Sequence, residues 1–194
     1  EKSKNPAEEL IPIKTAVILC LLIEKLTGVC LSIKWPNDLY FNGCKIGGIL
    51  CSSTPHKSGD YRVLIGIGFN IETLCITQKK TNPCTSLKEV TKNVISKDEL
   101  LFELQKVWKS SWYQFSKESV IETYKNYQTH PGSIWLAKND KSSPAIYRGI
   151  SAQGSAIFEK LAQPGQLFEV FSSYNPYSLT FLSGSQHAVS ICYI

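Results

Sequence analysis

The sequence predicts an α+β protein, with a mixed β-sheet flanked by helices over residues 1–130 and a small all-β module over residues 131–194. Two observations support this prediction. A long apolar helix over residues 6–27 is followed by strand segments that meet at the hairpin signal Asn42-Gly43. After Pro131-Gly132, short strand segments alternate with turn residues, a pattern typical of a small β-barrel.

The composition is that of an ordinary globular protein. With 194 residues, of which 43% are hydrophobic, the chain is long enough for one sizeable core. Its formal net charge of +5 is spread along the chain, which indicates a solvated surface and gives no sign of nucleic-acid binding. A preference for anionic partners such as nucleotides stays open. The longest apolar run near the start, Ala16–Ile23, is too short to span a bilayer, so no membrane association is expected.

Cysteine usage predicts a reduced protein in the cytoplasm. The seven cysteines include no CxxC pair and no Cys/His cluster with zinc spacing, so we expect no metal-ligating residues. The chain begins with Glu1 and contains no Met, from which we expect that a further N-terminal portion precedes it.

The first elements are a helix and a set of strands. Pro6 suits the first turn of a helix and Gly28 suits its end, so the helix is expected over residues 6–27. Asn42-Gly43 suits a two-residue turn in which both residues have positive φ. Strands are expected over residues 29–33, 39–41, 44–52 and 61–71.

Helical periodicity returns in the second half of the first domain. Ser96 suits an N-cap, with Glu99 three residues later as in a capping box. Trp108 and Trp112 lie one helical turn apart and are expected in the core or at a domain interface. Another helix is expected over residues 117–127. Short strands are then expected around residues 133–137, 145–150, 156–160 and 168–171.

Glycines clear one face of the strand over residues 61–71. Side chains of a strand alternate between faces, so Gly66, Gly68 and Asn70 share the face opposite the apolar one. Glycine in a strand often marks the close approach of a ligand, and an asparagine amide can hydrogen-bond a flat polar ring such as adenine. A β-bulge or a tight helix contact, with Asn70 beginning a turn, is the structural alternative.

A lysine stands beside two glycines on the return strand of the hairpin. In "KIGG", Lys45 and Gly47 are expected on one face, where a compact cation beside open backbone suits a carboxylate or a phosphate. An exposed edge-strand lysine is the alternative. In "KWPND", Lys34 raises the same two possibilities. The proline there holds Asn37 and Asp38 in a defined place, which is also consistent with a structural turn.

Together these segments resemble the biotin protein ligase family. The segments are "KWPNDL" at 34–39, "KIGGIL" at 45–50 and "IGIGFNI" at 65–71, with a weaker similarity in "GISAQGSAIFE" at 149–159. The resemblance implies a class II synthetase-like biotin/lipoate ligase fold. It also implies that residues 1–130 form the biotin- and ATP-binding catalytic domain and residues 131–194 an SH3-like C-terminal domain.

The resemblance further implies an ATP-dependent ligase that forms biotinyl-5'-AMP and transfers biotin to a specific lysine of a carrier. ATP and biotin would be substrates, with Mg²⁺, and the partner would be a biotin carboxyl carrier domain of acetyl-CoA carboxylase. A homodimer is a further expectation. By residue, the implied roles are Lys45 as the catalytic lysine, Lys45, Gly47 and Gly48 as biotin-binding, and Asn37, Asp38, Gly66, Gly68 and Asn70 as nucleotide-binding.

One family feature has no counterpart in this sequence. Nothing in residues 1–36 resembles the family's arginine- and glycine-rich loop, which closes over biotin and the adenylate, so we expect that loop before Glu1. Two alternatives stay open: a lipoate or octanoate ligase on the same fold, and a non-catalytic fragment that binds biotin or nucleotide.

Overall fold

The computed structural model describes residues 6–55, 61–72, 83–93, 95–129, 131–135, 144–170 and 188–192. Its helices are α1 (Pro6–Thr27), α2 (Leu87–Val90), α3 (Lys97–Gln114) and α4 (Lys117–Tyr127). Its first strands are β1 (Ser32–Lys34), β2 (Asp38–Phe41), β3 (Cys44–Pro55) and β4 (Tyr61–Phe69). The later strands are β5 (Ile134–Trp135), β6 (Ala145–Ile150), β7 (Ala156–Lys160), β8 (Leu167–Val170) and β9 (Ala188–Cys192).

Helix α1 is the central helix of the core. Its residues from Ile13 to Ile23 are almost all buried, because apolar side chains occupy nearly its whole circumference. The helix ends at Gly28, whose φ of 74° is a left-handed conformation and whose N–H donates to the carbonyl of Glu24. Both predicted ends of this helix are confirmed. None of the helices in the described ranges is long and apolar enough to cross a bilayer.

Helices α3 and α4 both pack against α1. The hydroxyl of Ser96 accepts from the backbone N–H of Glu99, which confirms the predicted start of α3. Trp108 and Trp112 stack with ring centroids 5.1 Å apart, and Trp108 is buried. The expectation that these two tryptophans are packing residues is therefore confirmed.

The larger sheet has the strand order β1-β2-β3-β4-β9, and every pair in it is antiparallel. The predicted mixed sheet is wrong on this point, because the described neighbours β1 to β4 run consecutively in sequence and alternate in direction. Between β2 and β3, Asn42 (φ 46°) and Gly43 (φ 80°) form the predicted two-residue turn. The α+β class itself is confirmed.

A β-bulge interrupts the pairing of β2 with β3 and changes which side chains share a face. Leu39 pairs with Gly47 and Tyr40 pairs with Lys45, which leaves Ile46 as the extra residue. Simple alternation therefore stops at this point. Ile46 and Gly47 are both buried, and Lys45 lies on the same face as Gly48. The prediction that Lys45 and Gly47 share a face is wrong for this reason.

The smaller sheet has the order β5-β6-β7-β8, again antiparallel, with Trp135, Tyr147 and Phe158 packed together. Closure of this sheet into an SH3-like barrel stays a prediction. Strand β9 does not belong to the smaller sheet, because it pairs with β4 of the larger one. The division of the chain into residues 1–130 and 131–194 stays a prediction.

Candidate functional site

A row of directly paired residues crosses the larger sheet on one face. Lys34 of β1 pairs with Asp38 of β2, Asp38 pairs with Gly48 of β3, and Gly48 pairs with Gly68 of β4. Directly opposite residues of antiparallel strands share a face of the sheet. Two charged residues and two glycines that are separate in sequence are thus brought into one line.

Asp38 of this row forms an ion pair with Lys45, which lies beside the row. The Nζ of Lys45 donates to Oδ1 of Asp38 at 2.5 Å, and both side chains keep part of their surface exposed, 39% for the lysine and 21% for the aspartate. Partial exposure leaves the lysine able to meet a ligand. The pair joins the KWPND and KIGG segments that sequence reasoning singled out separately.

The backbone of Lys45 is held by a segment that the sequence did not identify. Its N–H donates to the carbonyl of Pro83 at 2.8 Å, and its carbonyl accepts from the N–H of Thr85 at 2.9 Å. The short parallel bridge between Lys45 and Cys84 lies between these two bonds. Residues 83–85 therefore position the lysine, and no local sequence pattern indicates such a long-range pairing.

The four predicted glycines differ in their surroundings. A Cβ on Gly47 would lie 2.8 Å from both the carbonyl oxygen of Gly68 and the Cδ2 of Phe69, so this glycine is required by packing inside the protein. A Cβ on Gly48 would lie 3.0 Å from Oδ1 of Asp38 and 3.6 Å from Nζ of Lys45. Gly48 therefore leaves room for the ion pair.

Gly66 and Gly68 leave the sheet surface open. A Cβ on Gly66 or Gly68 would come no closer than 3.7 Å to any described atom. Leu50, the direct partner of Gly66, is 46% exposed, and Leu64 on the same face is 45% exposed. The result is a flat surface with an apolar border next to the ion pair. The exposure of these two leucines was not predicted, because it cannot be deduced from an apolar residue type.

Asn37 is buried and acts within the protein. Its Nδ2 donates to the carbonyl of Ile49, and its own carbonyl accepts from the N–H of Ile49 at 2.9 Å. These two bonds tie the turn before β2 to strand β3. Asn37 thereby positions its neighbour Asp38, and the structural turn that the sequence left open is present.

Asn70 connects strand β4 to the segment that precedes α2. Its Nδ2 donates to the carbonyl of Thr85 at 3.0 Å, and its carbonyl accepts from the N–H of Leu87. The residue is only partly buried, and it follows directly after the open face of β4. Asn70 thus stands at the end of the glycine surface and shares its partner Thr85 with Lys45.

Tyr40 is a site residue that sequence reasoning missed. It lies on the same face as Asp38, two residues further along β2, and it pairs with Lys45. Burial, together with the charge of Asp38, raises the pKa of Tyr40 to about 12. The phenol therefore stays neutral and packs beside the ion pair. Alternation along β2 places Tyr40 on the face of Asp38, but only the bulge in β3 makes Lys45 its direct partner.

The described ranges contain no group of three or more His, Cys, Asp and Glu side chains that could hold a metal ion. The arrangement can instead offer a lysine to a carboxylate or phosphate, and a flat surface to a ring system beside it. That combination suits a ligand with a planar part and an anionic part.

Known proteins similar to this chain include one protein family and several named ligases. The model of the "Biotin/lipoate A/B protein ligase family" matches residues 4–70, which include all eight predicted site residues. Biotin–protein ligase 2 of Arabidopsis thaliana is 29% identical over 75% of this chain and 47% of its own length. Biotin–[acetyl-CoA-carboxylase] ligase of Paracoccus denitrificans is 29% identical over 71% of this chain and 55% of its own length.

Solved structures share the fold. The apo biotin protein ligase from Aquifex aeolicus has a TM-score of 0.69 at 23% identity, over 86% of this chain and 75% of its own. The same enzyme in complex with biotin and ATP has a TM-score of 0.64 at 23% identity, over 87% of this chain and 72% of its own. The chain spans about half the length of the Arabidopsis and Paracoccus relatives.

Proposed function

We propose, on the premise that this chain belongs to the biotin protein ligase family, that it provides biotin- and ATP-binding elements of a ligase that joins biotin to a carrier lysine. The observation that carries the proposal is the Lys45–Asp38 ion pair beside the open surface of Gly66 and Gly68. At this position Lys45 could bind biotin's carboxylate and a phosphate of ATP, and the open surface could contact the flat adenine base.

The reaction has two steps. The carboxylate of biotin attacks the α-phosphorus of ATP, which forms biotinyl-5'-AMP and releases pyrophosphate. The neutral amine of a carrier lysine then attacks the acyl carbon, the bond from that carbon to the AMP oxygen breaks and AMP leaves, and the nitrogen loses one proton as it becomes the amide N–H. Both steps concentrate negative charge near the joined carboxyl and phosphate groups, where a positioned cation is most effective.

Lys45 is proposed as the residue that stabilises this negative charge. Asp38 orients its ammonium group, and residues 83–85 hold its backbone, so little reorganisation is needed when the ligand binds. Gly48 keeps the space beside the ion pair free for biotin's carboxyl group. Gly47 supports this by packing against Phe69, which makes its assigned contact with biotin an indirect one.

Nucleotide binding is assigned to Asn37, Asp38, Gly66, Gly68 and Asn70. Gly66 and Gly68 would form the floor under adenine, with Asn70 at its edge. The Asn70 side chain has a carbonyl oxygen and a second N–H beyond the bond to Thr85, which suffices to hydrogen-bond a base edge. Asn37 would act through the position of Asp38, since its own amide is buried.

Mg²⁺ would enter with ATP as part of the substrate. Magnesium commonly binds substrate phosphates with only one or two carboxylates and several waters, so a dedicated protein cage is not required. Asp38 is the described carboxylate of this row that lies near the proposed phosphate position.

A biotin carboxyl carrier domain is the proposed partner. The Paracoccus relative is named as a ligase acting on acetyl-CoA carboxylase, which supports a carrier of that kind. A homodimer and a cytoplasmic location stay predictions, and one Arabidopsis relative is named as chloroplastic. Lipoate or octanoate ligation is the weaker alternative, because the curated relatives cited above carry the names of biotin ligases.

The test uses the full-length protein with biotin, MgATP and a carrier domain, followed by detection of the biotinylated carrier with streptavidin. We expect labelling, and we expect Lys45→Ala to slow pyrophosphate release by about 10²–10³-fold, as loss of a group that stabilises transition-state charge does. Lys106→Ala is the control, since Lys106 is an exposed lysine paired with Glu103 on α3. A folded protein that labels no carrier contradicts the proposal.

Two further measurements separate the alternatives. Biotin and lipoate are compared as substrates for ATP–pyrophosphate exchange, and preference for lipoate assigns the chain to the other branch of the fold. A protein that binds biotin or nucleotide in calorimetry but labels nothing would be a binding fragment.

A further inference from the structure

Lys34 is a second cation at the row of site residues, and two aromatic rings hold it. Its Nζ lies 5.1 Å from the ring centroid of Trp135 in the smaller sheet and 5.8 Å from that of Tyr40 in the larger one. Both distances are within the range in which a ring face attracts a cation. The lysine therefore stands between the two sheets, beside Asp38.

The charge balance of the row gives Lys34 a role. Lys45 and Asp38 form an ion pair and cancel each other's charge. Lys34 lies directly opposite Asp38. Of these three charged residues, its charge is the one that the ion pair does not cancel, so the group has a net positive charge. A ligand that carries several negative charges needs such an excess, because an ion pair of zero net charge provides little long-range attraction.

The ammonium group of Lys34 is available to a ligand. No carboxylate of the described ranges lies within ion-pair distance of it. A ring face interacts with the charge of an ammonium group but leaves its N–H donors unused. The two rings thus position Lys34, and the N–H groups of its ammonium group can still donate hydrogen bonds to a ligand.

Trp135 is rigid enough to position this lysine. Its indole N–H donates to the hydroxyl of Ser133 at 2.9 Å, and its ring packs against Tyr147 and Phe158 with centroids 5.4 and 5.5 Å away. The ring of Trp135 is thus the part of the smaller sheet that contacts Lys34 in the row of site residues.

We propose that Lys34 binds phosphate oxygens of the nucleotide on the Asp38 side of the site, and that Trp135 of the smaller sheet positions it. The proposal rests on the proposed function, because it names a further residue for the same substrate. It gives the smaller sheet a part in nucleotide binding that is separate from any part in carrier recognition.

The test compares variants of the full-length protein. Lys34→Met removes the charge and keeps an unbranched apolar side chain, and we expect it to raise KM for MgATP and Kd for pyrophosphate about tenfold, the usual size of one lost charged hydrogen bond. KM for biotin should stay within about twofold. Lys34→Arg should restore most of the loss. Lys106→Met is the matched control, since Lys106 also lies over a ring, that of Phe102, at 4.1 Å.

Trp135 is tested through its coupling to Lys34. We expect Trp135→Leu to raise KM for MgATP about threefold, as the loss of an exposed cation–π contact would, and Trp135→Phe to raise it less. In the Lys34→Met background, Trp135→Leu should raise KM no further. A further rise there would mean that the ring acts only through packing of the smaller sheet.

Pyrophosphate calorimetry separates this proposal from the proposed function. If the wild type binds pyrophosphate tenfold more tightly than Lys34→Met but labels no carrier, the anion site stands and the ligase function fails. If the wild type labels a carrier but Lys34→Met binds pyrophosphate and MgATP as tightly as the wild type, the role of Lys34 is overturned. Absence of pyrophosphate binding by the wild type overturns it as well.

Discussion

Gly47 and Gly48 are neighbours in sequence, but each is glycine for a different physical reason. A Cβ on Gly47 would meet the backbone of Gly68 and the ring of Phe69 at 2.8 Å, inside the protein. A Cβ on Gly48 would instead meet the Asp38 carboxylate and the Lys45 ammonium group on the open face. The first glycine therefore serves packing, and the second serves the proposed site.

The packing role of Gly47 and the open surroundings of Gly66 predict different effects of alanine at these two positions. Gly47→Ala should lower the free energy of unfolding by about 1–3 kcal/mol, the usual cost of overpacking. Gly66→Ala should change it by less than about 0.5 kcal/mol, as exposed substitutions usually do, because its Cβ would lie 3.7 Å from the carbonyl of Leu50. Gly66→Ala should weaken nucleotide binding instead. Urea unfolding and calorimetry with ATP measure both effects, and equal stability of the two variants would refute the packing role.

At the scale of elements, the hairpin of β2 and β3 was predicted and its bulge was not. The turn at Asn42-Gly43 depends on two residues that tolerate positive φ, so it follows from local sequence. The extra residue Ile46 depends on packing, since it and Gly47 are both buried while Lys45 turns to the open face. The bulge is what aims Lys45 at Asp38.

The hairpin between β6 and β7 forms a second junction, where it meets α1 and the KWPND segment. The indole N–H of Trp35 donates to the carbonyl of Gly154 at 2.9 Å. A Cβ on Gly154 would lie 2.8 Å from Cδ2 of Leu10 and 3.2 Å from Cδ1 of the fully buried Ile13. Gly154 therefore sets how closely this hairpin approaches the helix.

The junction predicts unequal costs for two glycines of the same conformation. Gly154 and Gly165 have φ of 88° and 89°, so alanine at either should cost about 1–2 kcal/mol from the left-handed backbone alone. A Cβ on Gly165 meets nothing within 4 Å, whereas Gly154→Ala should cost more, because the ends of the Leu10 and Ile13 side chains must shift to make room. Urea unfolding of both variants measures the difference, and equal losses would show that the contact with α1 is unimportant.

At the scale of the whole molecule, the two sheets share one buried cluster of side chains. The hydroxyls of Tyr124 in α4 and Tyr147 in β6 lie 3.3 Å apart in the interior. Trp35, Lys34 and strand β9 make further connections between the early and late parts of the chain. The described residues before and after position 130 therefore pack against each other.

Buried phenols and thiols predict that alkaline pH destabilises the whole fold. Burial raises the pKa of Tyr40, Tyr147 and Cys51 to about 12 each, from ordinary values near 10 for phenols and about 8.5 for thiols. The folded state thus binds more protons than the unfolded state above these ordinary values, so the free energy of unfolding falls as pH rises. Burial lowers the pKa of Lys14, which opposes this fall.

Urea unfolding at several pH values from about 8 to 11 measures this effect, over the range in which unfolded thiols and phenols lose their protons. We expect the free energy of unfolding to fall shallowly near the lower limit, where only unfolded thiols lose protons, and more steeply toward the upper one, where phenols do as well. Tyr147→Phe is the comparison variant and should show a shallower fall. A flat profile up to the upper limit would contradict the prediction.

The sequence by itself determined the elements and the identity of the chemically important segments. The bounds of α1, α4, β6 and β7, and the turn at Asn42-Gly43, follow from local signals: caps, periodicity and residues that tolerate positive φ. The close spacing of KWPND, KIGG and GIGFN underlies the resemblance to the biotin protein ligase family, and it can be seen in the sequence alone.

Only the tertiary structure decided which of these residues meet. The bulge at Ile46, the support of Lys45 by residues 83–85, the return of β9 to β4 and the contact of Trp135 with Lys34 all join positions that are distant in sequence or break a local pattern. Such pairings are chosen by burial and packing in the folded chain, which a local pattern does not encode.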